Sequence, residues 1–176
     1  MTTTADRTPD TASALPAPDE FSIFTGEPVH RLRDMFTEVV YTPGPGEEFA
    51  AGSMSNGLRS LVPFCHAGET GFSIVRVYLA PGYILPAHTH DADCLYYVLR
   101  GLAILGRREI GPGGGFFIPA GKAYGYTAGA EGVEVLEFRH ATRTDFRETE
   151  RSPARWQKIL DNAEEHGGWV DADLPY

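Results

Sequence analysis

Apolar residues gather in short runs through the middle of the chain, and glycine, proline and charged residues stand between them. Over residues 60–139 the runs are RSLVPF, FSIVRVYLA, LYYVL, LAILG, FFIPA, YGYTA and VEVLEFR, separated by AGETG, APGY, LRG, GPGGG, PAG and AGAEG. Runs of this length, rich in β-branched and aromatic residues and bounded by turn formers, predict the strands of an all-β sandwich or barrel. The period then changes. In RSPARWQKILDNAEEHGG, Trp156, Ile159, Leu160 and Ala163 recur at helical spacing. Ser152 suits the N-cap, Pro153 the first helical position and Gly167 the stop. This single helix is expected to pack outside the barrel or on a partner subunit.

Upstream the pattern is weaker. Residues 1–19 are rich in Thr, Ala, Pro and Asp and have too little apolar surface to offset chain entropy, so a disordered tail is expected. Residues 21–49 are irregular, with Phe24, Val29, Leu32, Met35, Phe36, Val39 and Val40 expected in short strands or turns. The division is a tail over 1–19, one β-barrel domain over 20–150, and a C-terminal helix and tail over 151–176. Neither a repeat nor a second domain stands out.

Composition narrows the function. The 176 residues are 42% hydrophobic, ordinary for a globular domain, and carry a net charge of −9. That charge disfavours nucleic acid and anionic membrane, and the basic residues are scattered. No run approaches the roughly 20 apolar residues of a membrane span, and the N-terminus lacks the apolar stretch of a signal peptide. Cys65 and Cys94 make no disulfide framework; one bridge is conceivable, two reduced thiols is the simpler reading. A soluble cytoplasmic protein acting on a small molecule is expected.

The candidate chemistry lies in PAHTHDADCLYYVLRG. Residues i and i+2 of a strand share a face about 6.5 Å apart, so His88 and His90 converge. The face continues through Ala92, Cys94, Tyr96 and Val98. Leu95, Tyr97 and Leu99 lie opposite, and both faces read as buried. Neutral imidazoles are good transition-metal ligands, but two seldom suffice, so a third is needed.

The longer stretch PGYILPAHTHDADCLYYVLRG resembles the first signature of the cupin superfamily: Gly, five residues, His-x-His, three or four residues, Glu, six residues, Gly. Gly82, His88, His90 and Gly101 match. GGGFFIPAGKAYGYTA resembles the second signature, Gly, five residues, Pro-x-Gly, two residues, His, with Gly113, Pro119 and Gly121 in place. The resemblance implies a cupin-type double-stranded β-helix, a jelly-roll barrel, with a short C-terminal helix. It also implies a metal held by two histidines, a glutamate and a later histidine. Here Cys94 stands at the glutamate position and Tyr124 at the later histidine. Both can still ligate: thiolate suits zinc or copper, and tyrosinate suits ferric iron. Asp93 is a reserve ligand if a bulge turns it inward.

The site expected from the resemblance is therefore His88, His90, Cys94 and Tyr124 around a divalent transition metal, iron first, with Zn, Cu, Mn or Ni as alternatives. Tyr124 would stabilise or protonate an enolate-like intermediate, and Arg76, Tyr96 and Tyr126 would line the substrate. Each has a plainer reading: interior histidines, a buried thiol, core aromatics, and for Arg76 an exposed salt bridge. The function implied is a metal-dependent oxygenase acting on an enol, diketone or catechol-like compound. A ligand-binding cupin, or a metal-free isomerase, epimerase or cyclase using His and Tyr as base and acid, are the alternatives. Register leaves the sense of Glu134, Glu137 and His140 open. His66 makes no zinc spacing with Cys65, and His30 and His166 read as surface residues. Bare strand edges favour a homodimer, with residues 21–49 and the C-terminal helix as interface pieces.

Overall fold

A computed structural model describes residues 21–29, 32–52, 56–66 and 71–175. The expected 1–19 tail and His30 lie outside these residues. Among the described residues nine strands carry the fold: β1 Phe36–Val40, β2 Leu58–His66, β3 Phe72–Leu79, β4 His88–Thr89, β5 Cys94–Leu105, β6 Arg108–Ile110, β7 Gly115–Ile118, β8 Thr127–Arg139 and β9 Thr144–Glu148. The larger sheet runs β2-β3-β8-β5-β6, with β7 paired to β5; the smaller runs β1-β9-β4. Within the larger sheet every pairing is antiparallel, whereas β1 runs parallel to β9. The two sheets face each other around an apolar core, which is the jelly-roll barrel the two signatures imply.

Alternation builds the wall. On β3, Val75, Val77 and Leu79 turn into the core; on β8, Val133 and Val135 do the same. The paired registers Val77 with Val135 and Val98 with Val135 stack these side chains in one layer. Where β5 crosses β8 the signature glycine Gly101 adopts φ +72°, and a Cβ there would lie 2.1 Å from the Gly132 carbonyl oxygen. Only glycine tolerates both conditions.

Several expected turns are strand. LRG lies inside β5, and AGAEG lies inside β8, so two pairs of short runs merge into strands of 12 and 13 residues. Glycine in these places supports bulges: the β5–β8 register shifts at Val98/Arg100 and again at Gly101/Ala103. The outer face of β5 is also not buried: Leu95 is 49% and Tyr97 44% exposed, because among the described residues no second layer covers this side.

Short helices α1 (Leu32–Met35) and α2 (Pro45–Ala51) flank β1. The C-terminal helix α3 (Pro153–Glu165) begins at Ser152, whose Oγ accepts from the Arg155 N–H at 3.3 Å. Trp156, Ile159 and Ala163 form its buried face, and Trp156 meets Phe49 of α2 with ring centroids 6.2 Å apart. Both cysteines are buried and free, so the disulfide option is closed.

Candidate active site

The two signature segments meet through the backbone. The His88 N–H donates to the Tyr124 carbonyl at 2.8 Å, and the Tyr124 N–H donates back to His88 at 3.0 Å. This bridge sets the two imidazoles against the Tyr124 ring, with centroids 4.3 Å and 6.1 Å away. Phe146 of β9 stacks on His88 at 4.7 Å.

Side-chain hydrogen bonds fix the ring tautomers. His88 Nδ1 lies 2.8 Å from the Pro86 carbonyl and His90 Nδ1 lies 2.5 Å from the Asp145 carbonyl. A carbonyl only accepts, so both Nδ1 atoms carry the proton and both Nε2 atoms carry the lone pair. Burial pulls His88 down to about 3, with the neighbouring His90 acting in the same direction. His90 is also lowered, by burial first and then by Arg139. Both rings are neutral at neutral pH.

A cavity of about 310 Å³ opens beside them, between the two sheets. His88, His90, Tyr96, Tyr124 and Tyr126 line it, as do Glu137 and Arg139 from β8. Leu85, Val77 and Phe146 supply apolar wall, and Leu32, Arg33 and Phe36 close one side. The chain before the barrel thus contributes to the site.

Glu137 and Arg139 are the residues the sequence reading did not place. Tyr96 faces Glu137 and Cys94 faces Arg139 across β5 and β8, so all four turn inward together. Arg139 Nη2 donates to Glu137 Oε1 at 2.7 Å, and both side chains are about 5% exposed or less. Burial alone would raise the Glu137 carboxyl; the Arg139 charge and His90 outweigh it and hold the group down at about 2. Arg139 in turn is raised: burial opposes its charge, and Glu137 more than restores it. The signal was present in VEVLEFR, since two inward valines put Glu137 and Arg139 on the same face.

A directed chain of hydrogen bonds crosses the site. Tyr96 Oη donates to Glu137 Oε1 at 2.6 Å. Its single proton is then spent, so the short contact between the Tyr96 and Tyr124 hydroxyls is a donation from Tyr124. Both phenols are pushed well up, by burial first and by Glu137 next, and stay protonated. Tyr124 therefore presents oxygen lone pairs to the cavity and spends its proton on Tyr96.

The remaining expected residues separate. Cys94 is 1% exposed and its thiol points to the Ala92 carbonyl at 3.5 Å. Burial, then the Glu137 charge, pushes that thiol far up, and it does not line the cavity. Arg76 corrects the expected substrate contact. It lies opposite Leu136 on the outer face, where its Nε bonds Glu134 at 2.6 Å, because the core-facing positions of β3 are Val75, Val77 and Leu79. Asp93 stays outside, accepting from the Ala120 N–H at 2.8 Å. Glu134 faces outward, Glu137 inward, and His140 follows the end of β8 in an exposed bend.

The imidazoles are suited to a metal, each with Nδ1–H tied to a carbonyl and Nε2 open. The rest of the donor set is not. Among the described residues no three His, Cys, Asp or Glu side chains converge as a metal ion needs. Glu137 Oε1 lies 3.9 Å from His90 Nε2, and Arg139 Nη2 bonds that carboxylate while standing 3.5 Å from the same His90 nitrogen. A guanidinium already fills the place of the dication.

The model of one protein family, a domain of unknown function (DUF4437), matches residues 48–166. No curated protein matches the chain. Among solved structures it is similar to the polyketide cyclase RemF of Streptomyces resistomycificus, with 22% identity over 65% of this chain and 82% of that one and a TM-score of 0.47. It is similar to KdgF of a Halomonas species, with 23% identity, 47% and 79% of the chains covered, and a TM-score of 0.42. An RmlC-like cupin of Shewanella frigidimarina gives 19% identity, 50% and 80% coverage, and a TM-score of 0.42. Among the described residues no helix is long and apolar enough to cross a membrane.

Proposed function

The chain belongs to the DUF4437 family, and we propose that the cavity of its cupin barrel is an enzyme site where an imidazole moves a proton on a small oxygenated compound with an apolar or aromatic body. The observation that carries this reading is the tautomer lock: both Nδ1–H groups are spent on backbone carbonyls, so two Nε2 lone pairs are held beside one cavity. His88 is the base, because the Nε2 of His90 already has the Arg139 guanidinium 3.5 Å away. Phe146, Tyr126, Leu85 and Val77 receive the body of the compound. An ordinary imidazole near neutral pH is a stronger base than this buried one, and a negative charge on the bound compound would strengthen it. Tyr124 accepts a hydrogen bond from the compound and passes its own to Tyr96.

This reading belongs with the isomerases and cyclases rather than the oxygenases. A metal-centred oxygenase needs a third donor beside His88 and His90, and Glu137, the carboxylate in reach, is bonded to Arg139.

Tautomerisation of phenylpyruvate, an aromatic enol–ketone pair, tests the reading by loss of enol absorbance. Conversion should persist after exhaustive dialysis against chelator and fall by about a hundredfold or more in His88→Gln, the usual worth of a general base. Conversion that vanishes on dialysis and returns with iron or zinc would instead support the metal-dependent reading.

A further inference from the structure

We propose that the cavity takes a compound bearing a carboxylate, and that the guanidinium of Arg139, standing where a metal would, is the group that holds it. This rests on the cavity being the working site and adds the class of compound it accepts. Arg139 is 3% exposed and lines the cavity. Its Nη2 is engaged by Glu137 and approaches His90. Its Nε and Nη1 are buried with no partner. Donors of a charged group buried without acceptors carry a desolvation cost that an acceptor must remove, and such groups are rare in folded proteins without a ligand, an ion or an ordered water on them.

Charge selects the acceptor. Among the described residues the ionisable side chains lining the cavity are Arg33, Glu137, Arg139, the phenols of Tyr41, Tyr96, Tyr124 and Tyr126, and the imidazoles of His88 and His90. With the imidazoles neutral and the cavity-deep phenols protonated, the unmatched donors are the Nε and Nη1 of the Arg139 guanidinium, while Glu137 Oε1 already accepts from Arg139 and Tyr96, so an anionic acceptor gains the charge-assisted bonds. A monoanion is attracted. A phosphate dianion is disfavoured, because the Glu137 carboxylate sits 2.7 Å from the guanidinium that would have to hold it. The apolar wall leaves the rest of the compound to be an aromatic or aliphatic body.

Binding of four probes of similar size, benzoate, phenylacetate, benzamide and benzyl alcohol, tests this by calorimetry and ligand-observed NMR. The carboxylates should bind about tenfold or more tighter than the amide and the alcohol, the worth of one charge-assisted hydrogen bond. Arg139→Lys should reduce that preference. The double variant E137Q/R139Q, which removes both charges together so that neither is left unpaired, should melt as a folded protein and show no preference. The proposal is overturned if amide and carboxylate bind alike, if none of the four binds, or if the double variant keeps the preference. It is equally overturned by a stoichiometric transition ion in the purified protein whose removal abolishes carboxylate binding. Carboxylate binding with no turnover of phenylpyruvate would sink the proton-transfer reading while leaving this one standing. Turnover insensitive to benzoate and to Arg139→Lys would do the reverse.

Discussion

Glu134 and Glu137 lie three residues apart on the same strand, both almost wholly buried, both bonded to arginine. Their surroundings differ by which face of β8 they leave from. Glu134 faces outward and is shared by Arg76 at 2.6 Å and Arg100 at 2.5 Å, side chains that are 38% and 55% exposed. Arg100 also lies over the Tyr78 ring, 5.6 Å from its centroid. These arginines cover the carboxylate with their stems and keep part of each guanidinium in water. Glu137 has one arginine, and neither partner reaches solvent. The outer cluster closes a sheet surface. The inner pair leaves two donors without acceptors, on a residue that lines the cavity beside two imidazoles that line it too. A salt bridge alone says little about function; the unmatched hydrogen bonds around it say more.

The largest effect expected from this contrast is on stability. Arg139→Met leaves the Glu137 charge buried and unpaired and should cost about 3–5 kcal/mol in urea unfolding, whereas E137Q/R139Q should recover most of it. Equal losses for the single and double variants would remove the distinction between the pair and its parts.

The next effect concerns metal. Arg139→Ala removes the guanidinium that bonds Glu137 and stands 3.5 Å from His90 Nε2, so that two imidazoles and one carboxylate, which do not converge in the parent chain, gain room to close on a divalent transition ion. Added Co²⁺ should raise the melting temperature of this variant and produce a visible absorption band, while leaving the parent protein unchanged. A parent protein stabilised as strongly would mean that Arg139 does not hold the cation's place.

Acid should weaken the inner pair and its imidazoles. His88 titrates at about 3 in the folded chain against an ordinary 6.5, so the unfolded chain binds the extra proton and stability falls as pH drops below 6.5. Glu137, held at about 2 against an ordinary 4.5, contributes stability above 4.5 that is lost as pH falls from there toward 2. The melting temperature should therefore decline between pH 7 and pH 4, and the decline should be shallower in His88→Phe. A flat profile over that interval contradicts the buried neutral ring.

The smallest effect should come from the outer cluster. Glu134→Gln keeps the shape and lets Arg76 and Arg100 turn to water, with an expected cost of about 1 kcal/mol or less and no change in carboxylate binding. A loss matching that of Arg139→Met would erase the contrast between the two faces.

What the sequence disclosed follows the same division. The barrel and the two histidines were legible because the signature spacings are properties of the backbone: Gly82, Gly113 and Gly121 sit in turns, His88 opens β4 and Gly101 sits at a bulge of β5. The partners of the histidines were not. Glu134 and Glu137 sit on opposite faces of one strand, and their order is decided by Val133 and Val135, which a reader must first know to be inward. Arg76 lies between two core valines on β3, whereas Arg139 shares the parity of Val133 and Val135 on β8, so alternation sends one out and the other in once the inward positions are known. Leu95 and Tyr97 mislead in another way, since apolar side chains there stay exposed. The short polar strands β6 and β9, REI and TDFRE, have too little periodicity to be read at all.

The paired backbone hydrogen bonds between His88 and Tyr124 have one more consequence. They hold the floor of the site by groups that every residue possesses, so the side chains above it are interchangeable fittings on a fixed frame. The side chain at position 124 can be exchanged without breaking this bridge. In that sense Tyr124, set where the cupin signature has a histidine, is a fitting on a fixed workbench, and laboratory evolution of this chain should find its shortest route at that socket.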